Sequence, residues 1–246
     1  MLDFLAPSSV AVVIGATGGI GAALAEQLHE HSAVGTVLVT GHRHVPSGGG
    51  RRVAMALDIT DEAGIAALAA AASARGEVRL VLVASGLLSN PAGSTPEKSW
   101  RALDAAVLSE VFATNAIGPA LVAKHFLPLF PRHGRAVFAA LSARVGSIGD
   151  NRRGGWYGYR ASKAALNMLL KTLALELARR APAALCVGLH PGTVDTALSK
   201  PFQGGVSEAQ LFTPQHAAGC LLRVIGNLEE ADSGGVFAWD GSRIPA

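Results

Sequence analysis

The sequence predicts an α/β fold, a Rossmann-like doubly wound sandwich of three layers (α/β/α) around a seven-stranded parallel sheet. Short apolar runs rich in Val, Ile and Leu alternate with longer helical patterns, which is typical of strands buried on both faces. Half of the 246 residues are hydrophobic and 29 are Gly, a composition that suits aliphatic strands joined by tight turns. The length fits one domain over residues 1–246.

Local patterns place the elements in order along the chain. The strand patterns lie at 10–14, 36–40, 52–56, 80–84, 135–141, 184–190 and 235–238. The helical patterns lie at 20–31, 62–74, 109–130, 159–180 and 214–226. Thr213 is the predicted N-cap of the last helix, with Pro214 at its first position, and glycines 48–50 predict a turn between the second and third strands. Ligands of such sheets bind beyond the carboxyl ends of the strands, so the residues that follow each strand are the first candidates for a site.

Charge and composition argue against several classes of function. The net charge is +3 and the basic residues occur as scattered pairs, whereas a nucleic-acid groove usually has a clustered basic stripe. We therefore expect no nucleic-acid partner. The longest uncharged stretch, 7–25, is interrupted by glycines, which argues against a membrane span, and the N-terminus does not resemble a signal peptide. We expect a soluble, cytoplasmic protein.

The cysteines and histidines do not form a metal-binding pattern. Cys186 and Cys220 lie far apart in apolar surroundings and are predicted to be buried free thiols. None of the His residues has the spacing of a metal-ligand motif, so we predict no metal site. His190, at a strand end beside Pro191, is interpreted as structural.

The first strand runs directly into the turn Gly15-Ala16-Thr17-Gly18-Gly19-Ile20-Gly21, which a helical pattern follows. Glycine lets the backbone approach a pyrophosphate, and a helix N-terminus offers unpaired N–H groups to phosphates. Glycines in a turn also serve geometry alone. Their position between the first strand and a helix favours dinucleotide binding, with these predicted contacts: Gly15, Thr17, Gly19, Ile20 and Gly21.

The residues after the second strand bear on the choice between NAD and NADP. Enzymes specific for NAD carry an acidic residue there that binds the ribose 2′-hydroxyl, whereas a nearby Arg accommodates a 2′-phosphate. Here the stretch is Thr40-Gly41-His42-Arg43-His44, without a carboxylate. This predicts NADP(H) in preference to NAD(H), with His42 and Arg43 near the 2′-phosphate, unless the two residues are merely a solvated basic turn.

Tyr159 and Lys163 are four residues apart and share one face of a predicted helix. Both side chains have an ordinary pKa of roughly 10, and a nearby cation favours the phenolate, so the pair predicts a tyrosine that exchanges a proton with a substrate oxygen. Ser142 closes the fifth strand, where its hydroxyl can hydrogen-bond the same oxygen. A serine at a strand end is also commonly a simple turn residue.

Asn115 is a polar residue inside an otherwise apolar helical stretch. Two interpretations are open: a side chain satisfied by local backbone bonds, or an Asn that binds a water molecule and links Lys163 to solvent as a proton relay. The order Asn115, Ser142, Tyr159, Lys163 at these strand and helix positions favours the second interpretation, a catalytic tetrad.

The whole chain resembles the classical-type short-chain dehydrogenase/reductase family. The spacing Gly-x-x-x-Gly-x-Gly is similar to the pattern of that family, and the stretches 156–168, 190–196 and 237–241 resemble its C-factor branch, which is related to sniffer-type carbonyl reductases. The resemblance implies the tetrad roles given above, and a homo-oligomer, dimer or tetramer, formed through the long helices.

The resemblance also implies where the cofactor lies. It places Asp58 and the main chain after it against the adenine ring, although a lone Asp before a helix is usually a cap. It implies that Lys163 bonds the nicotinamide ribose, and that the Val194 main chain and the Thr196 hydroxyl hold the carboxamide. The contacts implied beyond the glycine turn are Asp58, Ile59, Gly86, Tyr159, Lys163, Pro191, Gly192, Val194 and Thr196.

The chain departs from the family pattern at several points. After the fourth strand the family usually has Asn-Asn-Ala-Gly, whereas this chain has Val83-Ala84-Ser85-Gly86, so the bracing of the central sheet is missing or rebuilt. The segment 149–156 is longer than usual and is a candidate substrate wall, in which Trp156 and Tyr157 either line an apolar pocket or anchor the loop. The segment 200–206 corresponds to the mobile substrate lid of the family.

The leading hypothesis is therefore an NADP(H)-dependent reductase that transfers a hydride between nicotinamide and a carbonyl or alcohol substrate, with Tyr159 as general acid/base. A dinucleotide-binding sensor or signalling protein of C-factor type, with little turnover, is an alternative from a different class, but a pure sensor has no need of Tyr159. An extended-type epimerase or dehydratase shares the Tyr and Lys pair, but those chains carry a long C-terminal substrate domain.

Overall fold

A parallel sheet of seven strands forms the centre of the protein, which confirms the predicted fold class. The computed structural model describes residues 2–88, 95–205, 207 and 210–246. The strands are β1 (Ser9–Ile14), β2 (Thr36–Gly41), β3 (Arg52–Ala56), β4 (Glu77–Val83), β5 (Ala136–Leu141), β6 (Ala184–His190), β7 (Thr193–Val194), β8 (Leu211–Phe212) and β9 (Val236–Ala238). The sheet order is β3-β2-β1-β4-β5-β6-β9, with all neighbours parallel. The order reverses between β1 and β4, and the crevice at this switch point is where such sheets bind ligands.

Helices cover both faces of the sheet. They are α1 (Gly19–Glu30), α2 (Glu62–Ser73), α3 (Ala105–Phe112), α4 (Gly118–Phe126), α5 (Tyr157–Arg180) and α6 (Pro214–Asn227). Apolar residues of α1 and α6 form one core with the sheet, and those of α2, α4 and α5 form the other. The predicted start of α6 is confirmed, because Thr213 Oγ1 accepts the N–H of His216 at 3.1 Å and Pro214 is the first helical residue.

The prediction of one helix at 109–130 is wrong in its start and in its continuity. The helix begins at Ala105 because Asp104 caps it, with Oδ1 accepting the N–H groups of Ala106 and Val107 at 2.9 and 3.0 Å. This cap was present in the sequence and was overlooked.

A π-helical turn, Ala113–Ile117, separates α3 from α4, and a 3₁₀ turn follows α4. Pro119 accounts for the change of pattern, because it has no N–H to donate to the carbonyl of Asn115 four residues earlier. Single π turns inside helices are frequent at functional sites. The turn contains Asn115, and its carbonyl is thereby released from α-helical bonding.

The run Ala105–Leu129 is long and apolar enough to cross a membrane by length and composition alone. The fold offers another reason for its hydropathy, since Val122, Ala123 and Phe126 are fully buried in the core beneath α4. These side chains pack against the sheet and its neighbouring helices. Only 33% of the apolar window is buried, so the run packs one side against the core and leaves the other side exposed.

Smaller features agree or differ in detail. The turn at 48–50 is confirmed, because Gly49 and Arg52 exchange backbone hydrogen bonds, and Cys186 and Cys220 are buried free thiols as predicted. The fourth strand begins at Glu77 and ends at Val83, so its predicted limits of 80–84 were late at both ends. The pair β7 and β8 was not predicted, since a strand of two residues has no periodicity to detect.

Candidate active site at the carboxyl edge of the sheet

The glycine turn after β1 is packed so closely that side chains are excluded. A Cβ on Gly21 would lie 2.2 Å from the carbonyl oxygen of Gly15, and one on Gly19 would lie 2.8 Å from Cγ2 of Thr196. Gly15 has a φ of +86°, a conformation that favours glycine. At Gly18, by contrast, the nearest atom to an added Cβ would be 3.5 Å away. The three glycines singled out from the sequence are therefore the ones that close packing requires, against backbone at Gly15 and Gly21 and against the Thr196 side chain at Gly19.

The corner next to β2 and β3 brings together residues that the sequence placed at the adenosine end of the cofactor. His42 Nε2 lies 3.3 Å from Asp58 Oδ2, and both side chains are exposed. Asp58 Oδ1 accepts hydrogen bonds from the N–H and the hydroxyl of Thr60, at 2.9 and 2.7 Å. The backbone bond from Thr60 is the main cause that lowers the pKa of Asp58, against an opposing effect of burial. Arg43 is exposed and has no hydrogen-bond or ion-pair partner among the described residues.

The possibility that Asp58 caps the following helix is wrong. The cap of α2 is Asp61, whose side chain accepts the N–H of Ala63 at 3.0 Å. Ile59 is buried, and its side chain and carbonyl lie 2.9 Å from the position of a Cβ on Gly118. Asp58 is thus left at the edge of the sheet without a helix-capping role.

Tyr159 and Lys163 lie on the first turns of α5, as predicted, with Lys163 Nζ 5.7 Å from the centroid of the Tyr159 ring. Lys163 is buried, and its Nζ donates to the carbonyl oxygen of Leu141 at 2.7 Å. Burial lowers the pKa of Lys163 to about 8 and raises the pKa of Tyr159 to about 12. Desolvation of the phenolate opposes the stabilisation that the neighbouring cation is expected to give it. Near pH 7 the pair is a neutral phenol beside an ammonium group.

Ser142 follows β5 and is buried. Its backbone N–H donates to the carbonyl oxygen of Leu189 at 2.8 Å, which extends the pairing of β5 with β6 by one residue. Its hydroxyl donates to Oδ1 of Asn167 at 2.6 Å. The sequence reading overlooked Asn167, although it is four residues after Lys163 and hence on the same face of α5.

Asn115 is buried in the π turn, and both ends of its amide are held. Its Oδ1 accepts the N–H of Leu87, while Nδ2 donates to the carbonyl of Leu87 and to the hydroxyl of Ser162, at 2.7, 2.7 and 3.1 Å. The interpretation of a purely local backbone bond is wrong, since these partners are 28 and 47 residues away. A Cβ on Gly86 would lie 3.7 Å from Asn115 Oδ1 and 3.8 Å from Lys163 Nζ, so these groups share one small space.

The segment after β6 turns back toward the glycine loop. Gly192 has a φ of +79°, and a Cβ there would lie 2.8 Å from the ring of Phe212. Val194 pairs with Phe212 in the short sheet of β7 and β8. Ser199, which the sequence did not single out, donates to the carbonyl of Val194, and its Oγ lies 3.4 Å from Oγ1 of Thr196. The Ser199 hydroxyl therefore orders the two groups that are predicted to hold the carboxamide, the Val194 main chain and the Thr196 hydroxyl.

An aromatic group covers one side of Tyr159. The Trp156 ring makes edge contacts with the rings of Tyr159 and Phe202, with centroids 6.3 and 5.1 Å apart, and Trp156 has a φ of +54°, which is unusual for a bulky residue. Tyr157 instead lines a separate groove of about 410 Å³ together with Arg160 and other residues. Of the two residues left open by the sequence, Trp156 is at the candidate site. Phe202 comes from the predicted lid segment 200–206, of which Val206 lies outside the described residues.

The departures from the family pattern leave traces in the core. Ala84 lines an apolar void of about 10 Å³ between the sheet and α6, so the missing Asn is not replaced by another polar brace at this point.

His190 has a buried Nδ1 without a partner among the described residues. Burial, with a smaller contribution from Arg144, lowers the pKa of His190 to about 4. This imidazole is neutral at pH 7.

Three features meet at one crevice of this doubly wound sheet: a closely packed glycine turn, a Tyr and Lys pair, and a buried Ser. This combination is typical of nicotinamide-dependent oxidoreductases. The model of the short chain dehydrogenase family matches residues 9–205, and the chain belongs to this family. The protein is an oxidoreductase of the short-chain dehydrogenase type.

Two relatives are similar to this chain in sequence. The chain is 32% identical over 238 residues to the 1-hydroxy-2-glutathionyl-2-methyl-3-butene dehydrogenase of Rhodococcus sp. (strain AD45), covering 95% of this chain and 98% of that protein. It is 36% identical over 149 residues to the C-signal protein of Myxococcus xanthus, covering 59% of this chain and 84% of that protein.

The NADPH-bound carbonyl reductase from chicken fatty liver superposes with a TM-score of 0.82 at 28% identity, covering 98% of this chain and 95% of that chain. The carbonyl reductase Sniffer of D. melanogaster has the same fold, with a TM-score of 0.81 at 23% identity over 97% of this chain and 99% of that chain. The resemblance to the C-factor branch is confirmed in sequence, and the likeness to the sniffer-type reductase is one of fold.

Proposed function

We propose that the protein is an NADP(H)-dependent carbonyl reductase in which Tyr159 is the general acid and, in the reverse direction, the general base. The observation that carries the proposal is the cluster at the end of β5, where the buried Lys163 and Ser142 lie beside the partly buried Tyr159, next to Gly86. Lys163 is buried with the Leu141 carbonyl as its hydrogen-bond acceptor, and burying a charged lysine in this way is costly. A proton-transfer role gives a reason for this cost.

The residues at the crevice fit a nicotinamide dinucleotide. The predicted glycines leave only backbone at Gly15, Gly19 and Gly21, and the start of α1 directs N–H groups to the same place. Gly86 carries no side chain, and a Cβ there would be in contact with Lys163 Nζ at 3.8 Å, so the glycine lets a ribose hydroxyl approach the ammonium group. The nicotinamide end of the dinucleotide would be held by Pro191, Gly192, Val194 and Thr196. The bound dinucleotide would supply or accept the hydride.

Residues of this chain would donate the proton to the substrate and take it up again from solvent. The neutral phenol of Tyr159 donates to the substrate oxygen as negative charge develops on it. The ammonium group of Lys163, 5.7 Å from the ring centroid, stabilises the phenolate that remains. Ser142 hydrogen-bonds the same oxygen. Asn115 contributes its freed backbone carbonyl as a site for a water molecule that returns the proton, because its side-chain amide is already bonded at both ends to Leu87 and Ser162.

The two tyrosines of this chain allow a matched test. Tyr159→Phe should lower the turnover of NADPH with ketones, aldehydes or quinones by about 10²–10⁴-fold, with NADPH binding unchanged. Tyr157→Phe, two residues away and facing the separate groove, should retain activity. If the wild type binds NADPH but never exceeds Tyr159→Phe on any substrate, the reductase proposal fails and a dinucleotide-sensing role is favoured. Because one relative acts on a glutathione conjugate, glutathionyl alcohols with NADP⁺ belong in the panel.

The preference for NADPH rests on Arg43. Asp58 and His42 are paired with each other, so Arg43 is the cation left for a 2′-phosphate. Arg43→Ala should reduce kcat/KM for NADPH by about 10–100-fold, the loss of one or two charge-assisted bonds, and leave kcat/KM for NADH unchanged. The control is Arg132→Ala, an exposed arginine just before β5, at the opposite edge of the sheet. An equal loss with both cofactors would contradict the assignment of Arg43.

Self-association through the long helices is also proposed. Met168 and Leu175 on α5 are 68% and 59% exposed, and Ile117 on the π turn, an element that packs against α5, is 53% exposed. Such a set of exposed apolar side chains on neighbouring helices favours an interface. Sedimentation should show a dimer or tetramer that Leu175→Glu converts to monomers, and a monomeric wild type would contradict the proposal.

A further inference from the structure

The hydroxyl of Ser142 has one proton, and that proton is directed away from the candidate substrate. It goes to Oδ1 of Asn167 at 2.6 Å. A hydroxyl has a single donor and two acceptor positions. In this arrangement Ser142 therefore offers only lone pairs to the crevice, and it is able to accept from the phenol of Tyr159 but not to donate to a substrate.

Reduction of a carbonyl group needs the opposite arrangement. Negative charge develops on the substrate oxygen, and a serine stabilises that charge only by donating its proton. The proton of Ser142 becomes available once Asn167 presents its Nδ2 group, since an amide NH₂ donates to the serine oxygen and requires no proton from it. The direction of the Ser142 hydroxyl is thus determined by which end of the Asn167 amide faces it.

The Asn167 amide is not held in its present orientation by any other bond. Its Nδ2 has no hydrogen-bond partner among the described residues, and the side chain is only half-buried. Asn115 shows the contrast, because Leu87 and Ser162 hold both ends of its amide. Rotation of the Asn167 amide by half a turn therefore costs only the bond to Ser142, which the new orientation replaces.

Asn167 is also anchored to the reacting groups through the helix. It follows Lys163 by one turn and Tyr159 by two, and the two side chains Lys163 and Asn167 bond consecutive residues, Leu141 and Ser142. The end of β5 is thus held against α5 by one bond that fixes the backbone and one that fixes a hydroxyl.

We propose that Asn167 is a positioning residue that sets the direction of the Ser142 hydroxyl: with the amide oxygen facing it, as in this structure, Ser142 donates to Asn167, and with the NH₂ group facing it, Ser142 donates to the substrate oxygen during carbonyl reduction. This inference rests on the proposed function and adds to it a residue that acts only through Ser142. It predicts that any group that accepts but does not donate at position 167 removes Ser142 from the reaction.

Asn167→Asp tests this directly, because a carboxylate has nearly the same shape and only accepts. Its kcat for carbonyl reduction should fall to the level of Ser142→Ala, about 100-fold below the wild type, the effect of losing one donor to the developing oxyanion. The KM for NADPH should not change. The ratio of its kcat to that of the wild type should rise as the pH is lowered from 8 to 5, since a protonated Asp donates again.

A double-mutant cycle separates the action through Ser142 from a general effect of the new charge. If Asn167 acts through Ser142, Asn167→Asp adds no further loss in the Ser142→Ala background. If the carboxylate acts instead on Tyr159 or Lys163, the same loss is found in both backgrounds, and the inference is wrong. Asn167→Leu, which neither accepts nor donates, should lose less than Asn167→Asp, because the hydroxyl is then free to turn. The inference is also overturned if Asn167→Leu loses as much kcat as Asn167→Asp or more, and if the ratio of the Asn167→Asp kcat to the wild-type kcat does not change with pH.

Failure of this inference is distinguishable from failure of the proposed function. The proposed function fails if the wild type does not exceed Tyr159→Phe. The inference on Asn167 fails if the wild type is active and Tyr159→Phe is not, while Asn167→Asp keeps wild-type kcat or loses activity independently of Ser142.

Discussion

The two halves of the carboxyl edge are built in different ways. The half after β1 depends on the absence of side chains. A Cβ added to Gly15, Gly19 or Gly21 would lie within 3 Å of another atom. The half after β5 depends on buried polar side chains, with Lys163 and Asn167 bonded to the end of that strand. In the first half backbone geometry makes the site, and in the second half individual polar atoms do.

The difference indicates which changes each half tolerates. Added volume should damage the glycine half, whereas changes of chemistry at constant volume should leave it intact. The reacting half should respond to changes of chemistry at constant volume: loss of a neutral polar atom leaves a buried partner unsatisfied, whereas loss of the buried Lys163 charge removes a desolvation cost. Three predictions test this comparison, in order of decreasing effect.

The largest effect is expected from Gly21→Ala. Its Cβ would lie 2.2 Å from the carbonyl oxygen of Gly15, so the turn must open. We expect dinucleotide binding to weaken at least 100-fold and the free energy of unfolding to fall by about 3 kcal/mol, as for severe overpacking. Gly18→Ala is the control, since its nearest atom is 3.5 Å away. Equal effects of the two variants, measured by NADPH titration and thermal unfolding, would show that the loop is not held by close packing.

Asn115→Ala should have the next largest effect. It removes a side chain that makes three hydrogen bonds and leaves the N–H and C=O of Leu87 without their partner. The expected loss is about 2 kcal/mol of unfolding free energy, measured by urea denaturation, with a lower kcat and little change in NADPH affinity. Ala116→Ser, the neighbouring buried position, is a control for general disturbance of the π turn. Unchanged stability of Asn115→Ala would mean that the turn is held by its backbone alone.

Lys163→Met should stabilise the protein at pH 7 while abolishing activity. The folded pKa of Lys163 is about 8 against an ordinary value of 10.5, so the folded state binds fewer protons than the unfolded state between these values. The unfolding free energy of the wild type therefore rises with pH across this window, and the cost of burying the charge is complete below pH 8.

That cost is about 3 kcal/mol, and the lost bond to the Leu141 carbonyl offsets about 1 kcal/mol, so Lys163→Met should gain about 2 kcal/mol at pH 7. The gain should disappear as the pH approaches 10. Denaturant titrations of both proteins at pH 7, 8, 9 and 10 measure it. A difference that does not vary with pH would show that the charge of Lys163 does not carry a stability cost, and it would weaken the contrast between the two halves.

Most of the fold follows from local patterns. Buried parallel strands are continuous apolar runs, so all seven strands of the sheet were predicted, with errors only at their ends. The helix at 109–130 was misjudged because Asp104 was not recognised as a cap and the consequence of Pro119 for the carbonyl of Asn115 was not considered. Both signals were present in the sequence.

Some features of the candidate site, like most of the fold, follow from local sequence patterns, and others depend on the tertiary structure. Sequence alone determined the glycine turn, the spacing of Tyr159 and Lys163 and the place of Ser142, because each depends on backbone conformation or on the period of one helix. The tertiary structure alone decided the partners of Asn115, the pairing of His42 with Asp58, the bond from Ser142 to Asn167 and the rise of the Tyr159 pKa. These properties depend on burial and on contacts between residues far apart in the chain, and no local pattern records either.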